Sequence, residues 1–287
     1  AITAMSVTQV KGLTATQITA LTVVQLSGLE SRDLAVLSTA QIRGISSTQV
    51  AHLTTSQASG LTTAQIASMT TTQVSSLEPT DLAVLTTTQF KALSSTQIMS
   101  LTTAEVTGLT STQIFSLQQI KGLTATQIES MSTTQMGGLT ATQVKSLTAT
   151  QVAGLTTAQM AALTLTQVGG LTSQQVGALT VTQVVALRST SVGAISTMQV
   201  KGLTATQVGE LSTTQIAALG TAQVKTLTTA QIRGLTTAQI ASLTTTQMTG
   251  LTTAQIASLT LTQVAGLEVT DIAVMTTRQI KALTSSQ

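Results

Sequence analysis

The chain has 287 residues, of which 42% are hydrophobic and only 7% are charged, with a net charge of +3. A mean hydropathy of +0.39 is high enough for a folded core and argues against a disordered chain. The weak, dispersed positive charge excludes a nucleic-acid-binding surface, and no run of 18 apolar residues could span a membrane as a helix. Cysteine, tryptophan and tyrosine are absent, so disulfides and aromatic stacking platforms are excluded.

One eight-residue unit, here called the octad, is repeated along the whole chain. Leu, or occasionally Met or Ile, recurs every eight residues from position 5 to 117 and again from 123 to 283. Counted from that Leu, the octad has Thr or Ser at position 2, Gln at position 5, Ile, Val or Met at position 6 and a small residue at position 8. The spacing predicts a single continuous array over 1–287, with one irregular six-residue unit at 117–122.

The octad predicts a helix rather than a strand, because its two large apolar positions, 1 and 6, would lie on opposite faces of a strand. In residues 251–259, Thr252 is placed as the N-cap of a helix that begins at Thr253, with Gln255 as the third helical residue. This is the S/T-x-x-E/Q capping box, and Leu251 with Ile256 form the accompanying hydrophobic staple. Pro79 falls on the first helical position of its octad, where a missing N–H is tolerated.

The small residue at position 8 predicts a left-handed C′ residue or a tight turn at each helix end. Glycine alternates there with other residues, as at Gly12, Ala20, Gly28 and Val36. Because isolated helices of five or six residues are marginal in water, neighbouring octads must bury one another. We therefore predict an all-α fold, an α-solenoid of very short capped helices, with two octads and so two helices in each coil.

The phrasing of residues 251–259, LTTAQIASL, resembles the Thr/Gln-rich repeat tracts of very large bacterial surface or secreted proteins. That resemblance covers the whole chain and implies an extracellular structural role. Residues 77–85, LEPTDLAVL, also resemble the first helix of TAL effector repeats, L-T-P-x-Q-V-x-x-I. The chain lacks that family's Gly-rich, Lys-bearing loop and 34-residue repeat, so this second likeness implies a capped helix but not DNA recognition.

Three octads carry acids in place of Thr and Gln, and each is followed ten residues after its Asp by a cation. The pairs are Asp33 with Arg43, Asp81 with Lys91, and Asp271 with Lys281. One interpretation is a divalent-metal site, but two carboxylates are too few for a calcium site with six to eight oxygen ligands. The favoured interpretation is an ion pair between helices.

The remaining unusual residues indicate packing rather than chemistry. His52 is the only histidine, and a lone histidine favours a partly exposed packing residue over a metal ligand or a catalytic group. Phe90 and Phe115 are predicted to fill a gap or make a local contact rather than to form a binding site. Most lysines and arginines stand at octad position 7, which predicts a solvated face; examples are Lys11, Lys121, Lys145, Lys201, Lys225 and Arg233.

We therefore predict no catalytic, cofactor-binding or metal-binding residues and no enzyme activity. The sequence opens at Ala1 without an initiator Met and both ends fall inside an octad, which indicates a processed product or a piece of a longer protein. Uncapped solenoid ends and few charges favour self-association, head to tail and laterally. The predicted function is a self-assembling extracellular or cell-surface filament, stalk or sheath. The alternatives are a passive spacer in a giant bacterial adhesin or, less favoured, an ice- or ligand-binding solenoid.

Overall fold

The computed structural model describes residues 5–110, 113 and 117–287, and over these residues it is all-helical, with 34 short helices and no strand. The contacts group the chain into two compact bodies. The N-terminal body is Ala1–Gly138 and the C-terminal body is Leu139–Gln287. Phe115 lies outside the described residues.

The described helices of the N-terminal body have four to six residues each. They are α1 Val7–Lys11, α2 Ala15–Thr19, α3 Val23–Ser27, α4 Ser31–Ala35, α5 Thr39–Gly44, α6 Ser47–Val50, α7 Thr55–Gly60, α8 Thr63–Ser68, α9 Thr71–Val74, α10 Pro79–Val84, α11 Thr87–Lys91, α12 Ser95–Met99, α13 Thr103–Gly108, α14 Leu117–Gly122, α15 Ala125–Ser130 and α16 Thr133–Gly137.

The helices of the C-terminal body have five or six residues each. They are α17 Ala141–Ser146, α18 Ala149–Ala153, α19 Thr157–Ala162, α20 Leu165–Gly170, α21 Ser173–Ala178, α22 Val181–Ala186, α23 Ser189–Ala194, α24 Thr197–Gly202, α25 Ala205–Glu210, α26 Thr213–Ala217, α27 Thr221–Thr226, α28 Thr229–Gly234, α29 Thr237–Ala241, α30 Thr245–Gly250, α31 Thr253–Ala257, α32 Leu261–Ala265, α33 Val269–Val274 and α34 Thr277–Ala282.

The capping box begins these helices as the sequence predicts. In α31 the Gln255 N–H donates to Thr252 Oγ1 at 3.2 Å, and the Thr252 N–H donates to Gln255 Oε1 at 2.7 Å. Leu251 and Ile256 are both buried. Pro79 is the first residue of α10, so that prediction is also confirmed.

The helix ends contradict one of the two predicted forms, the left-handed C′ residue, and show the other, a tight turn, as in the hydrogen bond from the Leu251 N–H to the Met248 carbonyl. The C-cap of α30, Leu251, has an extended backbone with φ −63° and ψ 136°, and Gly12 after α1 has φ −77°. Neither conformation is left-handed, so these helices end on backbone conformations that any side chain can adopt. Glycine at position 8 is therefore explained by something other than its freedom at positive φ.

Glycine at position 8 allows the backbones of successive coils to approach closely. A Cβ added to Gly44 would lie 2.8 Å from the carbonyl oxygen of Ala15, and one added to Gly234 would lie 2.6 Å from that of Ala205. Each of these carbonyls belongs to the helix three octads earlier in the chain. At Gly44 and Gly234 the absence of a side chain is thus required by packing between coils.

The coil has three helices, not the two that we predicted. In the N-terminal body α1 packs on α4, α4 on α7 and α7 on α10, and in the C-terminal body α21 packs on α24 and α25 on α28. Each coil is therefore made of three octads. The alternation of glycine at position 8 suggested two octads per coil, but it only sets how closely particular backbones approach.

The core of each body is built from octad positions 1 and 6. Leu235 is 4% exposed and Ile240 is fully buried, as are most of their equivalents in the described part of the array. Phe90 takes position 6 in α11 and is fully buried, which confirms its prediction as a gap-filling residue. The described Gln side chains at position 5 from Gln41 to Gln279 are also buried. Buried polar side chains in folded proteins are almost always hydrogen-bonded.

The irregular unit at 117–122 is accommodated without a shortened helix. Helix α14 has six residues, as many as regular helices such as α13 and α15. Gln119 donates from Nε2 to the carbonyl oxygens of Phe90 and Leu93 at 2.8 and 3.1 Å. The side chain therefore makes the same connection as in a regular octad, over a slightly smaller separation in sequence.

Candidate functional site

The repeated feature with the most chemistry is the Gln side chain at octad position 5. In α28 the amide oxygen of Gln231 accepts the backbone N–H of Thr228 at 2.7 Å, which completes the capping box. Its Nε2 donates to the carbonyl oxygens of Val200 and Leu203 at 2.8 and 2.7 Å. These two carbonyls lie 31 and 28 residues earlier, at the corner of the preceding coil.

The same connection recurs along both bodies, and we call the set of these Gln side chains the amide ladder. Gln73 donates to Ile42 and Ile45 in the N-terminal body, both at 2.7 Å. In the C-terminal body Gln199 donates to Val168 and Leu171 at 2.7 and 2.8 Å. Each Gln of the amide ladder is called a rung. A rung donates hydrogen bonds to buried carbonyls that lack a partner within the short helices.

The sequence pattern predicts capping by Gln at position 5, but it does not predict that Nε2 also donates to carbonyls of the preceding coil. A capping box accepts Glu as readily as Gln, because the cap needs only an acceptor. Glu nevertheless occupies position 5 only at residue 105. That preference for the amide over the acid was the available signal, since only the amide has N–H groups to donate.

Acids replace the ladder Gln at four positions, namely Asp33, Asp81, Glu105 and Asp271, and all four are buried. Asp33 Oδ2 accepts the Glu30 N–H at 2.9 Å, and Asp271 Oδ2 accepts the Glu268 N–H at 3.1 Å. The carboxylate thus keeps the capping bond but has no donor for the preceding coil.

The predicted ion pairs between these aspartates and the following cations are wrong. Within the described residues the only ion pair joins the exposed side chains of Arg32 and Glu30, at 2.9 Å. Arg43 Nε instead donates to the Ser68 carbonyl at 2.7 Å, 25 residues ahead. The physical reason is the coil geometry: a cation ten residues later lies on the next side of the coil, whereas the Asp is buried at its own corner.

Two of the buried acids have an oxygen without a partner. Asp81 and Glu105 are each 2% exposed, and no hydrogen bond in the described part of the chain reaches Asp81 Oδ2 or Glu105 Oε1. Burial raises the pKa of Asp81 to about 6, with the nearby Glu78 carboxylate acting in the same direction. Burial also raises the pKa of Glu105, opposed by its hydrogen bonds with Thr102.

The octad at 187–194 replaces a ladder Gln in a different way. Ser191 stands at position 5 and is buried, and it is too short to reach the preceding coil. Arg188, at the N-cap position of α23, makes no cap hydrogen bond but donates from Nη2 to the Leu163 carbonyl at 2.9 Å. Leu163 is the position-1 residue to which a Gln in place of Ser191 would donate, so Arg188 supplies the missing donor.

Octad position 7 is exposed as predicted, and two of its cations also connect coils. Lys11, Lys145 and Lys201 are exposed. Arg43 and Arg233 are exposed too, yet each donates from Nε to a carbonyl 25 residues ahead, at 2.7 Å to Ser68 and 3.1 Å to Ser258.

The remaining candidate residues form no reactive group. His52 is exposed, and its Nδ1 lies 2.8 Å from the Thr48 carbonyl. Across residues 5–110, 113 and 117–287, no group of three or more His, Cys, Asp or Glu side chains is placed to hold a metal ion. An open groove of about 340 Å³ is lined by Lys145, Ser173 and Ser196, among others, and contains no paired acid and base.

None of the helices in the described residues is long and apolar enough to cross a bilayer.

The fold and the ladder define a class of protein, a helical repeat solenoid in which most octads are both capped and connected to the preceding coil. Within that class the sequence is similar to the ALTTAQ repeat. Its family model matches residues 26–63 and 74–111 and, in overlapping segments, 208–237, 216–253 and 229–261. The matched segments indicate a repeat family. No curated protein matches the sequence.

Proposed function

We propose that this chain is a structural protein that self-associates into an extracellular or cell-surface filament, stalk or sheath. The observation that carries the proposal is the amide ladder, because it joins each coil to the one before it by the same donors and acceptors. A surface that binds the next coil within one chain can bind a coil of the same sequence in a second chain. The resemblance to repeat tracts of large bacterial surface proteins supports the extracellular setting.

Three Gln side chains near the start of the given sequence show which surface of an octad the ladder uses. Gln9, Gln17 and Gln25 are exposed, and each accepts its cap N–H at 2.8 Å. Among the described residues, none of the three side chains donates to a carbonyl of another coil, whereas internal Gln side chains such as Gln231 do.

The octads near residue 287 show which surface a following coil covers. Ile272 and Ile280 occupy octad position 6 but are 50% and 42% exposed, although the same position is fully buried at Ile256. In internal octads the carbonyl of the position-6 residue accepts a ladder amide, as Val200 does from Gln231. A stack of these coils therefore has different chemistry in its two directions, with ladder donors toward the preceding coil and acceptors and apolar surface toward the following coil.

This arrangement is heterologous, since the two faces differ, and a heterologous contact that does not close on itself generates an open filament. Few charges oppose the approach of two chains, because only 7% of residues are charged. The same scarcity of charge supports lateral packing of neighbouring chains.

Sedimentation velocity of the 287-residue chain over a wide concentration range tests the proposal, with electron microscopy of the same samples. We expect elongated assemblies that grow with concentration, and we expect Ile272→Lys with Ile280→Lys to shift the distribution to monomer. Met198→Lys is the matched control, because Met198 is 64% exposed on α24, away from either end face. A chain that stays monomeric throughout refutes self-association and favours the passive spacer of an adhesin.

A further inference from the structure

Two successive rungs on one side of the N-terminal body are acids. Asp81 in α10 and Glu105 in α13 both stand at octad position 5, and the two helices pack on each other. The backbone N–H of Glu78 hydrogen-bonds the Asp81 carboxyl group, and the Thr102 N–H donates to Glu105 Oε2. One oxygen of each acid therefore accepts the N-cap N–H, as the Gln amide oxygen does in the capping box.

The second oxygen of each acid corresponds chemically to the Nε2 of a ladder Gln, although the Asp81 side chain is one methylene shorter. In Gln octads that nitrogen donates to the carbonyls 28 and 31 residues earlier, as Gln97 does to Met69 and Ile66 at 2.8 and 3.0 Å. The corresponding position-1 carbonyls are Leu53 for Asp81 and Leu77 for Glu105. Asp81 Oδ2 and Glu105 Oε1 are buried without a partner among the described residues.

An ionised carboxylate at this position is unfavourable. It replaces an amide that can donate to a backbone carbonyl with a charged oxygen that, like the carbonyl, has only lone pairs to offer. A buried acceptor that faces another acceptor loses the stabilisation of its hydrogen bonds to water and gains none in return. A neutral carboxylic acid has the complementary pattern, one acceptor oxygen and one O–H donor, which is the pattern of a Gln amide.

We propose that Asp81 and Glu105 are proton-binding rungs of the ladder. Each takes a proton from solvent onto the unpartnered oxygen, and the resulting O–H donates to the carbonyl of Leu53 or Leu77 in the preceding coil. Acidification thus completes the ladder between α7, α10 and α13, and alkaline pH opens it. This inference is independent of self-association and concerns the stability of a single chain.

The charged surroundings act in the same direction. Glu78 on α10 carries a like charge beside Asp81 and raises its pKa. Helix α7, packed on α10, has no titratable side chain, and α15, packed on α13, has the exposed Glu129. The remaining titratable group near this corner is His52, which directly precedes Leu53 in the chain.

The sign of the pH dependence follows from the direction of these shifts. A group whose pKa is higher in the folded chain binds its proton more tightly there, so protonation stabilises the fold. For Asp81 this stabilisation is complete below its ordinary pKa of 3.8 and is lost as the pH rises through about 6. The raised pKa of Glu105 gives the same sign.

Thermal unfolding of the full chain between pH 7.5 and 4.5 tests the proposal, at a concentration where sedimentation shows a single species. We expect the unfolding midpoint of the parent chain to rise as the pH falls. Asp81→Gln with Glu105→Gln should raise the midpoint at pH 7.5 and remove most of its dependence on pH. Glu129→Gln and His52→Gln are the controls and should retain the dependence of the parent chain.

A direct readout is the carboxyl ¹³C titration of Glu105, which should have its midpoint above the ordinary glutamate pKa of 4.5. The proposal is overturned if the double variant keeps the parent's pH dependence or is less stable than the parent at pH 7.5. It is also overturned if added calcium, rather than protons, produces the stabilisation at neutral pH, because the oxygens would then form a cation site.

Discussion

The Nε2 of Gln231 lies 2.7 Å from the carbonyl oxygen of Leu203, a residue 28 positions earlier and one coil away. The same side chain caps its own helix through Oε1. One residue type therefore serves two levels of structure, the start of a helix and its attachment to the next layer. This dual role explains how helices of four to six residues persist, although such helices are marginal alone.

Replacing Gln231 with Met should destabilise the C-terminal body by about 2–4 kcal/mol, because the Val200 and Leu203 carbonyls lose a donor and α28 loses half of its capping box. Gln25→Met is the matched control, since Gln25 caps α3 without bridging to another described coil. Gln25→Met should lower the free energy of unfolding by only about 1 kcal/mol. Urea unfolding measures both, and equal losses would show that the bridging bonds contribute nothing.

Gly234→Ala should destabilise the fold by about 1–3 kcal/mol, because the new Cβ would lie 2.6 Å from the Ala205 carbonyl oxygen in the coil below. Gly169→Ala provides the comparison, since a Cβ there meets nothing within 4 Å and removes a flexible glycine from α20. That change should stabilise by about 0.5–1 kcal/mol. Thermal unfolding of the two variants should therefore shift in opposite directions, and a neutral Gly234→Ala would contradict the packing explanation.

Arg188→Thr restores a consensus cap residue but removes the donor to the Leu163 carbonyl, so we expect a net loss of about 1 kcal/mol. Adding Ser191→Gln should recover that loss or exceed it, because Gln at position 5 reaches the same carbonyl. Hydrogen exchange of the α23 amides and urea unfolding measure whether the double variant recovers the lost stability. Additive effects in the double variant would mean that Arg188 does not substitute for the missing Gln.

Ile256→Ala should destabilise the C-terminal body by about 2–5 kcal/mol, since Ile256 is fully buried in the core. Ile280→Ala removes the same group from the same octad position, but Ile280 is 42% exposed. In monomeric samples Ile280→Ala should therefore lower the stability clearly less than Ile256→Ala. If chains associate through this face, the difference between the two variants should narrow as the protein concentration rises, which calorimetry can measure.

Much of the local structure follows from the sequence. The capping box at Thr252 and Gln255 and the first helical position of Pro79 are determined by residues three or four apart, where chain connectivity fixes the geometry. The burial of positions 1 and 6 follows from the same short-range pattern. These predictions are confirmed because they need no knowledge of which coil packs on which.

The predictions that failed all depended on the next coil. Glycine at position 8 suggested left-handed turns and a coil of two octads, but Gly44 and Gly234 serve the approach of backbones three octads apart. The ten-residue offset of Asp33 and Arg43 suggested an ion pair, but the two lie on different sides of the coil. Spacing along the chain could not settle either point, since it leaves the number of helices per coil open.

By itself, then, the sequence determined that this chain is an all-α array of capped octads, because capping and hydrophobic periodicity act within one helical turn. The tertiary structure alone decided that three helices complete a coil and that the Gln amides connect successive coils over 28 and 31 residues. It also decided which acids are buried without a donor, at Asp81 and Glu105. The reason is that partners at these distances are chosen by how helices stack, and every octad presents nearly the same surface to each of its possible neighbours.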